Sequence, residues 1–455
     1  MAHTGSEGIS LLSATDEKLL EDVTAGMDLV RIPSDNNETM KEEVVEAHGV
    51  ETNDRPETVV VPTRPFDLLG PPVSPIPFSN RQVHFRGQRR VVACYNKSTR
   101  EYDNLDVLIR DEDDHQYPHG DVQQAYWALP YKDKIDTIMG HVQICVILRP
   151  CIKCPNRSGS HSIDEDSESE NEDEDEDIIF ETTTELVAIK VNYCSRMNGL
   201  RGRHAEDPFQ EIAAMQMIGN EHPNVLGYIE ILFDGQNLNV VMPFLNGGDL
   251  FHVLHEGPQS AIPGMQEDVA RFWFRQICSG LQHLHAVGIC HRDLSPENVM
   301  LDGNRACLII DMGMALRVPY GHSVDASQVV DISQGTQRRL ITPQGACGKL
   351  PYMSPEIYQN RNPFDGAAID VWTAGTILFC MLTGNRSYQR AEKSDPQFYW
   401  MTHGLSILIA DWGVRISEEA VDLLKGMLQI DPRLRLTLEE VIAHPWFSHP
   451  DMEPE

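Results

Sequence analysis

Two short stretches concentrate groups that suit phosphate chemistry: His291-Arg292-Asp293-Leu294-Ser295-Pro296-Glu297-Asn298 and Asp311-Met312-Gly313. Asp293 and Asn298 share what reads as a loop ahead of a strand, and Asp311 ends the next strand pair. Two carboxylates and an amide near one cleft suit a hard, oxygen-seeking cation such as Mg²⁺. Any one of them reads equally well as a turn or capping residue, but the set does not. Upstream, Val187-Ala188-Ile189-Lys190 places a lysine on a strand. Most such lysines are only solvated. This one reaches nucleotide phosphates if a carboxylate holds it, and Glu211 on the following helix is the expected holder. Phosphoryl transfer needs these parts: metal ligands, a cation on the phosphates and a group that orients the attacking hydroxyl.

The elements that must position these groups follow from hydrophobic periodicity. Alternation in Ile135–Leu148 predicts paired strands, and Leu186–Val191 and Leu238–Met242 read as buried strands. Pro208–Ile218 reads as a helix, and the pattern after Gly247-Gly248 is mostly helical. A small strand-rich lobe with one helix therefore precedes a larger helical lobe, and a cleft between such lobes is a natural ligand site. Residues 81–130 read as a partly ordered extension without an assigned role. Val91–Tyr95 and Leu105–Ile109 look strand-like there, and Arg81, Arg86, Arg89 and Arg90 form a small basic patch. Residues 1–80 read as disordered or docking-competent, with a short amphipathic helix at Leu11–Val30 and a proline-rich run through Pro62, Pro65, Pro71, Pro72, Pro75 and Pro77.

The chain of 455 residues carries 37 Lys+Arg against 69 Asp+Glu, a formal net charge of -32. Part of that excess is one run, 164–177, of acidic residues broken only by Ser167, Ser169 and Asn171. This charge disfavours nucleic acid and anionic membranes as partners and favours basic proteins or peptides. The N-terminus lacks a basic segment followed by an apolar stretch, and no apolar run is expected to reach the length of a membrane span. The ten cysteines are scattered, with Cys278, Cys307 and Cys380 in core-like segments, which fits a cytoplasmic or nuclear protein. Cys151 and Cys154 form a CxxC with no second pair at metal spacing, so two loop thiols are expected rather than a zinc site.

In combination, these motifs resemble the eukaryotic protein kinase superfamily, serine/threonine type, over residues 131–449. They are VAIK, the helix glutamate, HRDLSPEN, a DxG, an SPE and DVWTAG, and the tail DPRLRLTLEEVIAHPWF resembles the calcium/calmodulin-dependent group. The resemblance implies an α+β bilobal fold: a small antiparallel sheet with its helix, and a larger mainly helical lobe, with the acidic insertion at about 155–180 and a tail at 450–455. It implies ATP and Mg²⁺. It implies that Lys190, paired with Glu211, holds the α- and β-phosphates, that Asp293 accepts or orients the proton of the substrate hydroxyl, and that Asn298 and Asp311 hold metal. Met242 matches the gatekeeper, and Pro243, Phe244 and Leu245 the adenine-binding hinge. Glu356 is expected to tie to Arg435, and Asp370 to anchor the loop that carries Asp293.

Four positions depart from the family pattern. The best candidate for the glycine-rich loop, Gly140–Val146, keeps only its first glycine, Gly140, where several are expected so that backbone amides can approach phosphates. The acidic run interrupts the small lobe and must bulge from it, since so many like charges cannot be buried. Met312 replaces the usual phenylalanine of the metal motif. Ser295 stands where the family usually has a lysine, and Lys349, after Gly348, where it usually has a threonine. The cation and hydroxyl have exchanged places, so Lys349 is expected to steady the transferring phosphate while Ser295 supplies the hydroxyl near Asp293.

Asp249 and Glu297 match positions where basic-directed kinases hold substrate arginines, although Asp249 equally fits a helix N-cap. Arg292 is a candidate phosphate-binding arginine, with Thr342, followed by Pro343, as the candidate regulatory phosphosite. The acidic run is a candidate docking site for a basic partner. Two functional readings stay open: an active serine/threonine kinase on basic protein substrates, and a pseudokinase scaffold, which the sparse glycines and Ser295 would suit.

Overall fold

The computed structural model of the chain describes residues 85–96, 99–110, 124–151, 178–200, 208–220, 222–255, 264–317, 329–331, 337–341, 343 and 345–449. These fall in two compact units, one built from 79–201 and 228–244, the other from 202–227 and 245–455. The first is strand-rich and the second mainly helical, as the α+β expectation requires.

In the first unit, strands β1 (Phe85–Asn96), β2 (Glu101–Arg110), β3 (Ala125–Ala128), β4 (Ile135–Asp136), β5 (Gly140–Pro150), β6 (Phe180–Tyr193), β7 (Glu230–Phe233) and β8 (Asn237–Pro243) form one sheet in the order β3-β2-β1-β7-β8-β6-β5-β4. β3 also pairs with β5, so seven of the strands close on themselves and β4 hangs on the rim of β5. The closing hairpin is the β1–β2 pair. β2 runs antiparallel to β3, while β1 runs parallel to β7 at Phe85 and Arg86 and parallel to β6 at Cys94 and Tyr95. Residues 81–130, given no role from sequence, thus supply three strands of the sheet. Closure removes the unpaired N–H and C=O groups that an open sheet presents at its edges.

Strand periodicity explains what fills this barrel. Val187, Ile189 and Val191 of β6 alternate inward and pack with Leu108, Tyr126, Cys145, Ile147, Leu232 and Val241. One charged group sits among them. Glu230 of β7 is 4% exposed, and its carboxylate accepts hydrogen bonds from Arg110 Nε of β2 and Tyr126 Oη of β3. This network ties the hairpin to the strands it covers. Outside the barrel, Asp234 in the β7–β8 turn accepts from the Gln236 and Asn237 amides and lies 3.7 Å from Arg89 Nε of β1. Cys151, at the end of β5, is disulfide-bonded, which corrects the reading of a loop thiol there. Cys154 and the acidic run lie outside the described residues.

In the second unit the helix Pro208–Ile218 has the predicted bounds. It groups here rather than with the sheet, and its last carbonyl, Ile218 O, lies 2.8 Å from His283 Nε2. His283 belongs to the amphipathic helix Glu267–Ala286, which packs on Gly366–Thr383. Every residue of Gly366–Thr383 is buried. This helix is long and apolar enough by composition to cross a bilayer, contrary to the sequence expectation, because a core helix and a membrane span meet the same composition test. Asp365 caps its start by accepting from the Ala367 amide, and Gly384 ends it in a left-handed conformation.

The Glu230 network makes a prediction. Replacing a buried paired carboxylate removes the partner of a cation, at about 3 kcal/mol. Glu230→Ala is expected to lower urea-unfolding stability by that order, and a chain starting after residue 110 is expected to aggregate through the opened sheet. Unchanged stability in Glu230→Ala would show that the hairpin is held by backbone pairing alone.

Candidate functional site

The site in the second unit is built on a carboxylate inside an otherwise apolar helix. Asp370 is 1% exposed. It accepts from the backbone amides of His291 (2.8 Å) and Arg292 (2.9 Å), and His285 Nε2 stands 3.0 Å from its Oδ2. A carboxylate so buried must be paired, and these donors fill it. They also hold Arg292 at φ 68°, a left-handed conformation that costs a non-glycine residue of order 1 kcal/mol. Asp370 thereby anchors the 291–298 loop at the backbone, as expected. The loop continues through a 3₁₀ turn, Pro296–Asn298, into the hairpin β10 (Val299–Leu301) and β11 (Cys307–Ile309), with β9 (Ile289–Cys290) just before it.

Beyond that hairpin comes Asp311, at φ 64°. Its Oδ1 accepts from the Gly313 amide at 3.1 Å, and Met312 is buried in a packing position. Asn298 Nδ2 donates to Asp293 O (2.7 Å) and Asp293 Oδ2 (3.1 Å). The amide nitrogen is thus committed inward, which leaves the amide oxygen as the ligand atom. Asp293 Oδ1 is buried and, among the described residues, accepts no hydrogen bond. Burial pushes the Asp293 carboxyl up; the Lys349 ammonium and His291 act against this, and Asp311 adds to it. Among the described residues no three His, Cys, Asp or Glu side chains cluster as a complete metal cage. An amide oxygen with Asp311 fits Mg²⁺ nonetheless, because that ion takes few protein ligands and completes its shell with water and phosphate.

Lys349 and Ser295 meet. Lys349 Nζ donates to Ser295 Oγ at 2.8 Å and lies 3.4 Å from Glu297 Oε2. Ser295 is 0% exposed. The approach depends on Gly348, at φ 92°, where an added Cβ would lie 2.8 Å from Arg292 O and 3.4 Å from Asp293 Oδ1. Only glycine brings this segment so close to the loop that carries Asp293.

Other sequence candidates are placed separately. Lys190 is half-buried in β6, in register with Val142 and Val240. Glu211 is 7% exposed in the Pro208–Ile218 helix of the other unit. Met242 is buried near the end of β8, and Phe244 and Leu245, just after it, are half-buried. Gly140–Val146 is corrected: it is strand, not loop. Gly140 is required because an added Cβ would lie 1.9 Å from Val191 O across the pair. The segment before it, 129–139, which includes β4, contains no glycine.

Asp249 caps the helix Leu250–His255, its Oδ1 accepting from the His252 amide at 2.7 Å. Arg292 Nη2 donates to Cys347 Sγ (2.6 Å), and Nη1 lies 3.4 Å from Met314 O. Thr342 lies outside the described residues. Arg435 binds Glu356 through two nitrogens, at 2.7 and 3.1 Å, donates to Ala368 O and Gln429 O, and covers the Trp372 ring.

Sequence reasoning passed over His285, Cys347 and the role of His291, whose Nε2 stands 2.9 Å from Ile310 O. A signal existed only for the first: an aspartate within a buried apolar helix demands a polar partner somewhere.

With this geometry in place, comparison with known proteins adds the family. The protein kinase domain family matches residues 177–447. The serine/threonine-protein kinase CHK1 of Mycosarcoma maydis is 34% identical over 211 residues, 46% of this chain and 28% of that protein. The human SNF-related serine/threonine-protein kinase is 29% identical over 273 residues, 60% of this chain and 31% of that protein. The Arabidopsis thaliana serine/threonine-protein kinase SRK2C is 35% identical over 233 residues, 50% of this chain and 60% of that protein. The chain thus spans about a third or less of the first two.

The buried Arg435–Glu356 pair, with side chains 0% and 12% exposed, also makes a prediction. Removing one partner of such a pair costs about 3–5 kcal/mol. Glu356→Ala is expected to destabilise by that order, measured by urea unfolding. Arg433, two residues from Arg435, pairs with Asp431 at the surface, its side chain 68% exposed. Arg433→Ala is expected to leave the urea-unfolding midpoint essentially unchanged, because solvent screens an exposed pair.

Proposed function

The chain belongs to the protein kinase domain family, and from that premise we propose that it transfers the γ-phosphate of ATP, with Mg²⁺, to serine or threonine hydroxyls of protein substrates. The observation that carries the proposal is the buried Asp293 oxygen that accepts no hydrogen bond, next to an amide and a second carboxylate suited to a hard cation. The names of the relatives, all serine/threonine-protein kinases, support the acceptor class. The narrower likeness to the calcium/calmodulin-dependent group rests on the C-terminal sequence alone.

In this reading the substrate hydroxyl oxygen bonds to the γ-phosphorus as the bond from that phosphorus to the ADP oxygen breaks. The hydroxyl proton passes to Asp293. Mg²⁺ would supply charge neutralisation on the phosphates, with Asn298 and Asp311 as its protein ligands. Lys349 supplies a fixed ammonium beside Asp293, anchored on Ser295, in the place where the family keeps a lysine on the loop itself. Lys190 is proposed to hold the α- and β-phosphates, Glu211 to pair with it, and Met242, Phe244 and Leu245 to face the adenine. Gly140 drops out as a phosphate contact because strand packing accounts for it.

Glu297 is proposed to face the residues before the acceptor of a protein substrate, where a basic residue would be met. Asp249 adds less, because one of its oxygens caps a helix. A basic partner for the acidic run, a phosphosite at Thr342 read by Arg292, and residence in the cytoplasm or nucleus complete the proposal. Among the described residues the buried free cysteines suit a reducing compartment, and the disulfide at Cys151 argues against one.

The chemistry is tested by phosphate transfer from ATP to a peptide. Asp311→Ala is expected to lower kcat by roughly 10²-fold or more; equal activity with the wild type would remove Asp311 from the metal site, and no transfer by the wild type would overturn this reading. The exchange is tested by Ser295→Lys/Lys349→Thr, which is expected to retain more activity than Lys349→Thr alone. Asp293 works ionised, so activity falls as pH drops through its raised pKa. Lys349 holds that value down, so Lys349→Met is expected to move the acid limb of the kcat/KM profile to higher pH. A stationary limb would separate Lys349 from Asp293.

A further inference from the structure

Both carboxylates expected to meet substrate arginines are already engaged within the chain. Asp249 accepts from the His252 amide at 2.7 Å. Glu297 has the Lys349 ammonium 3.4 Å from its Oε2, and that oxygen is buried with no other hydrogen-bond partner. The ammonium is not a loose surface charge that happens to lie nearby. It is held from the other side by Ser295 Oγ at 2.8 Å, on a residue 0% exposed.

Its backbone is held as well. Tyr352 N donates to Lys349 O at 2.9 Å, and Gly348 allows the segment to pack against Arg292 O. A peptide arginine seeking Glu297 must displace a cation held at two points by a stiff segment. The gain from one more cation at a carboxylate that already has one is small.

We propose that Lys349 is a specificity-determining residue: it occupies Glu297 as an internal surrogate for a substrate cation and so suppresses the preference for arginine before the acceptor. This rests on the reading of Glu297 as a carboxylate facing the peptide. The surrogate is partly exposed, with Lys349 and Glu297 side chains 36% and 34% exposed, so the effect is that of a partly solvated charge pair. The expected size is roughly three- to tenfold in selectivity.

The experiment measures kcat/KM for matched peptides that carry either arginine or glutamine at each of the three positions before the acceptor. The readout is the Arg/Gln ratio, which is independent of how far a variant lowers overall turnover. Four proteins are compared: wild type, Lys349→Thr, Glu297→Gln and the double variant. The wild-type ratio is expected near unity, rising roughly three- to tenfold in Lys349→Thr and returning to the wild-type level in the double variant. Glu297→Gln alone is expected to leave the ratio unchanged. A wild-type ratio already high, lost in Glu297→Gln and unmoved in Lys349→Thr, would overturn the surrogate role while upholding the basic preference. A ratio near unity in all four proteins would overturn both, because Glu297 then meets no substrate cation even when uncovered.

Discussion

A single buried carboxylate sets the geometry on which the candidate chemistry depends. Asp370 lies in a helix whose every residue is buried, and an ion there persists only if its lone pairs are filled. Two of the groups that fill it are consecutive backbone amides, His291 and Arg292. Consecutive amides converge on one carboxylate only when the backbone turns sharply, and Arg292 adopts the left-handed conformation that makes the turn. The direction of the next residue, Asp293, follows. So does the placement of Asn298, whose amide nitrogen reaches back to both the carbonyl and the carboxylate of Asp293. The core helix thus acts as a template for the loop.

The sheet of the other unit obeys a different constraint, that of exposed edges. The family match begins at residue 177, inside the acidic run, and of the barrel strands it takes in only β6, β7 and β8. Those three alone would leave long unpaired edges. β5 and β3 extend the sheet on one side, and the β1–β2 hairpin joins its two ends. The parallel pairings of β1 are short, two residues each. Side-chain ties therefore matter to the closure, above all Glu230 with Arg110 and Tyr126. Strands β1, β2, β3 and β5, which precede the family match, belong to the barrel.

Charge placement around Asp293 shows how a site tolerates an exchange of residues. What an oxygen-rich site needs is an ammonium at a point in space, and chain position is secondary. Lys349 reaches that point from the segment after Gly348, and Ser295 receives it. The exchange has a consequence that a lysine on the loop would not have: the ammonium also lies against Glu297. In the proposed function one cation would then serve Asp293, while it lies against a carboxylate on the neighbouring turn.

Much of this was legible in the chain as written. Strands with period-two apolar residues, such as Val187, Ile189 and Val191, and the helix Pro208–Ile218 announce themselves through local periodicity. The loop residues Asp293, Asn298 and Asp311 stand close in sequence, and even the meeting of Ser295 with Lys349 was readable because two departures complemented each other. What could not be read were contacts whose value depends on distant burial. Nothing local to Glu230 names Arg110 and Tyr126 as its partners, and nothing local to Glu297 shows that Lys349 lies against it. Gly140 looked like a phosphate contact until strand pairing brought Val191 O to where a Cβ would stand. Local periodicity and motif spacing are properties of neighbours along the chain; closure of the barrel and occupation of Glu297 are decided by which residues, far apart in sequence, are forced together when water is excluded.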